Sequence, residues 1–450
     1  MLIIENATAV QQAPASVTEH CDIVCENGAI VDVGPGAAAR AAGGAGDGAA
    51  AERIDAGGRI VMPGLVCAHT HFYSGLARGI TAPLGPMHDF TAILENLWWR
   101  LDRSLGEDAI RASAAVNALE AVQSGTTTVV DHHASTGHVR GSLEVIAGEF
   151  RRVGLRGLLC YETSDRDGPA VRDDALAENE AWAAAAAAER EASRRAGRAA
   201  PLLGAAVGGH ALFTLGEETL AALSALRERT GLGIHMHIGE DPVDETTCRR
   251  DHGCALTDRL AAHGLLDAQS ILVHGLHLAP EDRAAINAAD AFLVHNPRSN
   301  MNNGVGYNDS LGELTNRALG TDGITSDMFE EATIAWFKHR DAHGPLGIDE
   351  VVGGLSGGHR MASRHFDAQL GRLEAGAVAD LVMLDYHSPT PIVPENIAGH
   401  IAFAMKSADV HTVVVDGRIV YAERRFPFDV EPIYADARRV AEALWKQMTD

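Results

Sequence analysis

Eight short apolar runs with β character, with helical stretches between most of them, leave this chain few architectures. The runs are PGLVCAHTH, GTTTVVDHH, RGLLCYET, LLGAAVGGHA, GIHMHIGE, SILVHGLHL, AFLVHNPRSN and ALGTDG. Strands that alternate with helices pair in parallel, because each crossover helix returns the chain to the same end of the sheet. Eight such units predict an α/β fold, a closed (β/α)8 TIM-type barrel. An open doubly wound sheet is the alternative, but no GxGxxG follows the first run. Further strand-like segments flank the barrel: MLIIENATAV, CDIVCENGAIVDVGPG and RIDAGGRIVMPG before it, GAVADLVMLDYHS and VHTVVVDGRIVYAERRF after it. These are expected to pair into a small composite β-sandwich domain built from residues 1–61 and 369–450, the latter including a terminal helix, around a barrel of residues 62–368. The Ala/Gly-rich stretch 36–53 is expected to be a surface loop.

The polar residues are placed as a barrel would use them. His69 and His71 end the first run, His132 and His133 the second, and His210 the fourth. His235, His237 and Glu240 end the fifth, His274 the sixth, His295 the seventh and Asp322 the eighth. In a barrel these ends converge on one mouth. Residues i and i+2 of a strand share a face, so His69 and His71 aim at one point. His69, His71, His237 and Asp322 can supply a metal-ligand set of imidazole nitrogens and a carboxylate, with a position left for water. His235 shares the face of His237, so either could be the ligand; His237 is chosen as nearer the mouth. A lone histidine is more often a satisfied core residue, but four such groups at strand ends in this order point to a metal. Glu240, three residues past His237, is placed to move a proton of the attacking water, although a helix N-terminal acid is the ordinary alternative. His274 is the second proton-handling group, and Asp322 can hold the water as well as the ion.

The motifs PGLVCAHTHF, HMHIGE, LVHG, HNPRSN and LGTDG resemble the amidohydrolase superfamily, in its branch of cytosine-deaminase-like, guanine-deaminase-like and triazine hydrolases. HFYSGLARG, LWWRLDR, VDHHAS, LGTDGITSDMFEE and SPTPIVPENIAGHIAF are similar to aminohydrolases of the SsnA type, and the likeness spans nearly the whole chain. It implies His69, His71, His237 and Asp322 as ligands, with Glu240, His274 and Asp322 as catalytic groups. It also implies a substrate contact at His210, where the branch's His-x-Pro-Tyr-Thr reads His210-Ala211-Leu212-Phe213-Thr214. Trp98, Arg298 and Asn300 are further candidates for substrate binding, and Tyr73 and Arg78 for the entrance. Binuclear relatives bridge two ions with a lysine on strand four, whereas the lysines here are Lys338, Lys406 and Lys446. One divalent ion is therefore expected, Zn2+ first, with Fe2+ or Mn2+ compatible.

A net charge of −24 speaks against nucleic-acid binding, which uses clustered Lys and Arg, and does not repel a neutral or cationic small molecule. No apolar stretch reaches the ~20 residues of a membrane span. MLIIENATAV lacks a basic start and a long apolar core, so a cytoplasmic location is expected. The six cysteines form no CxxC pair and read as reduced thiols. A compact cytidine-deaminase-type zinc site needs HxE and PCxxC, and the chain contains no CxxC. A non-catalytic scaffold would have lost Glu240 or His274. The expected activity is release of ammonia from an amino-substituted N-heterocycle such as a purine, pterin or pyrimidine base. Hydrolysis of a cyclic amide, amidine or halogenated ring is the alternative. The partner is a small heterocyclic substrate, and the resemblance suggests a homodimer.

Overall fold

The computed structural model describes residues 1–44 and 51–449. Leu65–Thr70, Thr126–His133, Arg156–Tyr161 and Leu203–Ala205 form a four-stranded parallel sheet in chain order. Val207–Ala211, Ile234–Ile238, Ile271–His274, Phe292–His295 and Arg317–Leu319 form a five-stranded one. Only Ala206 separates Leu203–Ala205 from Val207–Ala211, so the nine segments correspond to the eight expected runs. The sheets meet at both edges through parallel bridges, Thr163 with Gly209 and Thr70 with Asp322. At the second junction the Thr321 and Asp322 amides donate to the His69 carbonyl at 2.8 and 3.1 Å.

Almost every residue of these strands is buried, which explains their near-continuous apolar sequences. The period of two still sorts them. Val66, Ala68, Val130, Leu158, Ile271, Val273, Phe292 and Val294 pack together in one cluster. Their alternates Leu65, Cys67, Val129, Leu159, Leu272 and Leu293 join the larger core that contains the helices. Among those helices are Glu107–Gln123, Ser142–Val153, Glu217–Thr230 and Met328–Asp341. No helix among the described residues is long and apolar enough to cross a membrane.

The two ends of the chain do pair. Five N-terminal strands within Leu2–Pro63 and three C-terminal ones within Leu381–Tyr421 form one mixed eight-stranded sheet, joined where Ile60–Pro63 runs antiparallel to Leu381–Leu384. A buried ion pair ties this sheet to the parallel strands. Arg156 Nε and Nη2 donate to the Asp380 carboxylate at 2.6 and 3.0 Å, and Nη1 donates to the Pro201 carbonyl. Asp380 also accepts from the Asp416 amide at 2.7 Å.

The 36–53 stretch differs from its expected loop. Ala37–Gly44 is helical, with Ala37 and Ala38 buried beside Ile3 and Val24. Alanine is the best helix former, and a small side chain allows that close approach. Residues 45–50 lie outside the described residues.

Candidate metal and catalytic site

The strand ends converge as the parallel arrangement requires. His71 Nε2 lies 2.9 Å and His69 Nε2 3.3 Å from Asp322 Oδ1. His237 Nε2 lies 3.3 Å from His71 Nε2. His69, His237, His274 and Asp322 each offer a ligand atom within 4.8 Å of the others. The fifth-strand ambiguity resolves by position: His237 faces this cluster, while His235 lies behind it, its Nε2 2.9 Å from His69 Nδ1. Two of these residues, His274 at φ 74° and Asp322 at φ 53°, occupy the left-handed region, an uncommon conformation for a non-glycine residue.

The outer nitrogens settle which atom of each ring is free. His71 Nδ1 donates to the His132 carbonyl at 2.6 Å, His237 Nδ1 to the His210 carbonyl at 3.1 Å, and His274 Nδ1 to Asn300 Oδ1 at 2.8 Å. A neutral imidazole that spends its one hydrogen at Nδ1 presents a lone pair at Nε2. Facing lone pairs on His71 and His237, beside a carboxylate, are unfavourable without positive charge between them. The donor set therefore fits a divalent cation, and its outer hydrogen bonds are those that orient metal-binding histidines. The same demand shows in the protonation energetics. Burial disfavours an imidazolium at His71, yet Asp322 lifts its pKa to about 9.

Two carboxylates complete this end of the cavity. Glu240 Oε2 lies 3.4 Å from His274 Nε2, and Asn303 Nδ2 donates to Glu240 Oε1 at 3.3 Å. Burial pushes the Glu240 carboxyl up to about 7, against the pull of His274. Asp322 Oδ2 accepts from the Ser299 hydroxyl and stands 4.0 Å from His274 Nε2.

The cavity is walled by Tyr73, Phe90, Leu94, Trp98 and Trp99. Trp98 belongs to a π-helical stretch, Leu94–Trp98, which turns both tryptophans onto the cavity. His210 also lines it, and Tyr73, expected at the entrance, is part of its wall. Two other expected substrate contacts are elsewhere. Arg298 pairs with Glu331 and Glu330 and donates to the Thr325 carbonyl at 2.6 Å, so it braces Pro297–Asn303 against the following helix. Asn300 positions His274 and does not line the cavity. Both differences arise because Pro297–Asn303 is a helix, with proline at its first position and Gly304 in the left-handed region after it. Arg78, the other entrance candidate, pairs with Glu120 at 2.6 and 2.7 Å. His295 packs on Tyr307, 5.8 Å between ring centres, away from the cluster.

The cavity is also lined by Glu162 and Arg166, which the pattern of histidines did not reveal. Glu162 directly follows the third strand, the position that the histidines occupy on other strands. Arg166 pairs with buried Asp102 and lies over the Trp99 ring, 5.3 Å from its centre. Of the adjacent pair on the second strand, His132 turns inward, with Nδ1 3.2 Å from Glu162 Oε2, while His133 Nε2 is 2.9 Å from Ser135 Oγ.

The chain is similar to known proteins along most of its length. The model of the Amidohydrolase family matches residues 60–420. A 5-methylthioadenosine/S-adenosylhomocysteine deaminase of Desulforudis audaxviator is 29% identical, over 98% of this chain and 99% of that protein. The protein so named from Haloquadratum walsbyi is 30% identical, over 88% and 87%. Among solved structures, a zinc-bound adenosine deaminase from Xanthomonas campestris superposes with a TM-score of 0.81 at 24% identity, covering 99% of this chain and 98% of its own. The zinc complex of the atrazine chlorohydrolase from Arthrobacter aurescens gives 0.79 at 20%, covering 98% and 100%. These two likenesses establish a shared fold.

Proposed function

This chain belongs to the amidohydrolase family, and on that footing we propose that it is a divalent-metal-dependent aminohydrolase that releases ammonia from an amino-substituted N-heterocycle. It is a hydrolase of carbon–nitrogen bonds, as its deaminase-named relatives indicate. The observation that carries the finer reading is that Glu240, on the cavity wall, stands 3.4 Å from His274 beside the His69–His71–His237–Asp322 cluster. Those four residues would hold one ion, and zinc suits their nitrogen and oxygen donors. When bound, such an ion lowers the pKa of a water from 15.7 towards ~7 and so supplies a nucleophile at neutral pH.

The chain's own groups do the rest. Glu240 Oε2 takes a proton from the attacking water and passes it to the ring nitrogen beside the amino-bearing carbon. His274, its Nδ1 fixed on Asn300, holds its Nε2 lone pair towards the same point, where it accepts a hydrogen bond from the attacking water. Asp322 Oδ2 orients the water. A carbon–oxygen bond forms; Glu240 then takes the remaining proton of the added hydroxyl and hands it to the amino nitrogen, the carbon–nitrogen bond breaks, and ammonia leaves as the ring carbonyl forms. Tyr73, Trp98 and Trp99 enclose a flat ring and exclude bulk water.

We read the eight parallel runs as one closed barrel, supported by the bridges at both edges. Residues 62–368 would carry it, with 1–61 and 369–450 as the composite β domain. The test is an ammonia-release screen of purine, pterin and pyrimidine bases on metal-replete protein, with metal content measured on the same sample. Ammonia from at least one ring is the expected result. Chloride or ring-opened product in place of ammonia selects the hydrolytic alternative, and a fully loaded protein inert on every ring refutes the proposal.

A further inference from the structure

On the side of the cavity where Glu162 and His210 approach His237, two hydrogen-bond acceptors face each other with no hydrogen between them. Glu162 is 5% exposed, and its Oε1 lies 3.8 Å from Arg166 Nη2 and 3.9 Å from His210 Nε2, both beyond hydrogen-bond reach. Arg166 does not close the gap because its guanidinium is held by Asp102 and stacked on Trp99. His210 does not close it either. The Thr214 hydroxyl gives its one hydrogen to the Ala211 carbonyl at 2.9 Å, so its oxygen accepts from His210 Nδ1 at 2.7 Å. A neutral His210 with its hydrogen on Nδ1 presents a lone pair at Nε2. Both residues line the cavity, so an occupant that supplies donors would satisfy the two acceptors together.

A second cation is the obvious candidate, since Glu162, His210 and His237 have ligand atoms within 4.8 Å of one another. His237 excludes it. Its Nδ1 donates to the His210 carbonyl, and its one remaining lone pair, at Nε2, already faces His71 Nε2 at 3.3 Å. One lone pair does not serve two ions. Hydrogen-bond donors on an organic ligand need no such third group.

We propose that Glu162 and His210 form a specificity dock that reads a pair of N–H donors on the substrate ring, and that the enzyme therefore prefers rings with an amidine-type edge, a ring N–H beside an exocyclic amino group, over rings presenting acceptors there. The word substrate rests on the hydrolytic function proposed above; the dock itself does not. Its closeness to the His237 ligand nitrogen puts the donors on the ring that carries the reacting carbon, not on an appended sugar. Charge acts in the same direction: Glu162, Asp102 and Asp167 surround the single Arg166, which favours a cationic or strongly donating ring edge.

Trp98 and Trp99 line the cavity, so quenching of tryptophan fluorescence reads binding without turnover. Zinc-loaded Glu240→Gln protein is titrated with hypoxanthine against guanine and with lumazine against pterin, each pair differing by the amino donor beside a ring N–H. The amino-bearing ring is expected to bind at least tenfold tighter in one or more pairs. Adding Glu162→Gln should cut that ratio at least fivefold, and Glu162→Asp should restore part of it, with thermal melts confirming that each variant is folded. Equal affinities within every pair, no binding by any amino-bearing ring, or a ratio unchanged by Glu162→Gln in folded protein would overturn the dock. An unsubstituted protein that discriminates these rings but releases no ammonia from them would refute the hydrolytic proposal and leave the dock standing.

Discussion

The two ends of the cavity handle buried charge in opposite ways. At one end a carboxylate, Asp322, sits among imidazoles whose Nε2 atoms face inward while their Nδ1 hydrogens are spent on outer acceptors. At the other end the carboxylates of Asp102 and Glu162 have a permanent cation, Arg166, built in beside them. The first end lacks a positive charge that the chain does not supply, so its geometry is directed at something added. The second holds its own cation, outnumbered by the carboxylates of Asp102, Glu162 and Asp167, and what it leaves over is a single acceptor pair. One end is organised for an ion and the other for a neutral or cationic ring edge, and a substrate bridging them would be oriented before any bond changes.

The largest expected effects come from separating the ion's site from the proton relay. Asp322→Ala should lose both bound metal and turnover. Glu240→Gln should keep about one metal per chain while kcat falls ~10^2 to 10^4-fold, the usual contribution of a positioned acid–base group. Metal analysis and steady-state kinetics on the same preparations distinguish them, and undiminished kcat in Glu240→Gln would remove that residue from the mechanism.

At the end that holds Arg166 the expected loss is in stability. Arg166→Ala leaves buried Asp102 without its partner, which costs ~3–5 kcal/mol in comparable buried pairs. Urea unfolding measures it, and a cost below ~1 kcal/mol would mean that this end does not depend on its internal cation.

A smaller effect is expected one layer out from the ion. Asn300→Ala frees His274 Nδ1 from its 2.8 Å bond, and loss of such an orienting contact typically lowers activity ~10 to 100-fold. Bound metal should remain unchanged. If kcat also remains unchanged, His274 needs no such support.

The smallest effect is a pH slope. Burial, opposed by Arg166, raises the Asp102 pKa from its ordinary value near 3.8 to about 7. Between those values the folded chain keeps a proton that the unfolded chain has released. Stability from this group is therefore present at low pH and declines as pH rises from about 4 to about 7. Asp102→Asn should flatten that part of a Tm-against-pH curve, and an unaltered slope would show that Asp102 is ionised throughout.

The same contrast explains what could be read from the sequence. The ion's end was legible because a histidine or aspartate closing an apolar run is a strong signal, and the strand period fixes which face His69 and His71 share. His235 against His237 was not decidable from that period, because both residues satisfy it; packing behind His69 decides it. Glu162 ends its run in the same way, but following histidines alone passed over it. Arg298 and Asn300 read as substrate contacts because they follow the seventh strand, and the helix Pro297–Asn303 turns them to bracing roles. Ala37–Gly44 was hidden by composition, since alanine between glycines reads as a linker until Ile3 and Val24 offer it a surface.

The central claim is that side chains from strands far apart in sequence surround a single ion. An anomalous difference map recorded at the zinc edge from crystals of zinc-loaded protein tests it most directly. One peak bounded by the Nε2 atoms of His69, His71 and His237 and by the Asp322 carboxylate is the predicted result. A peak held instead by Glu162 and His210, or two peaks of equal height, would contradict it.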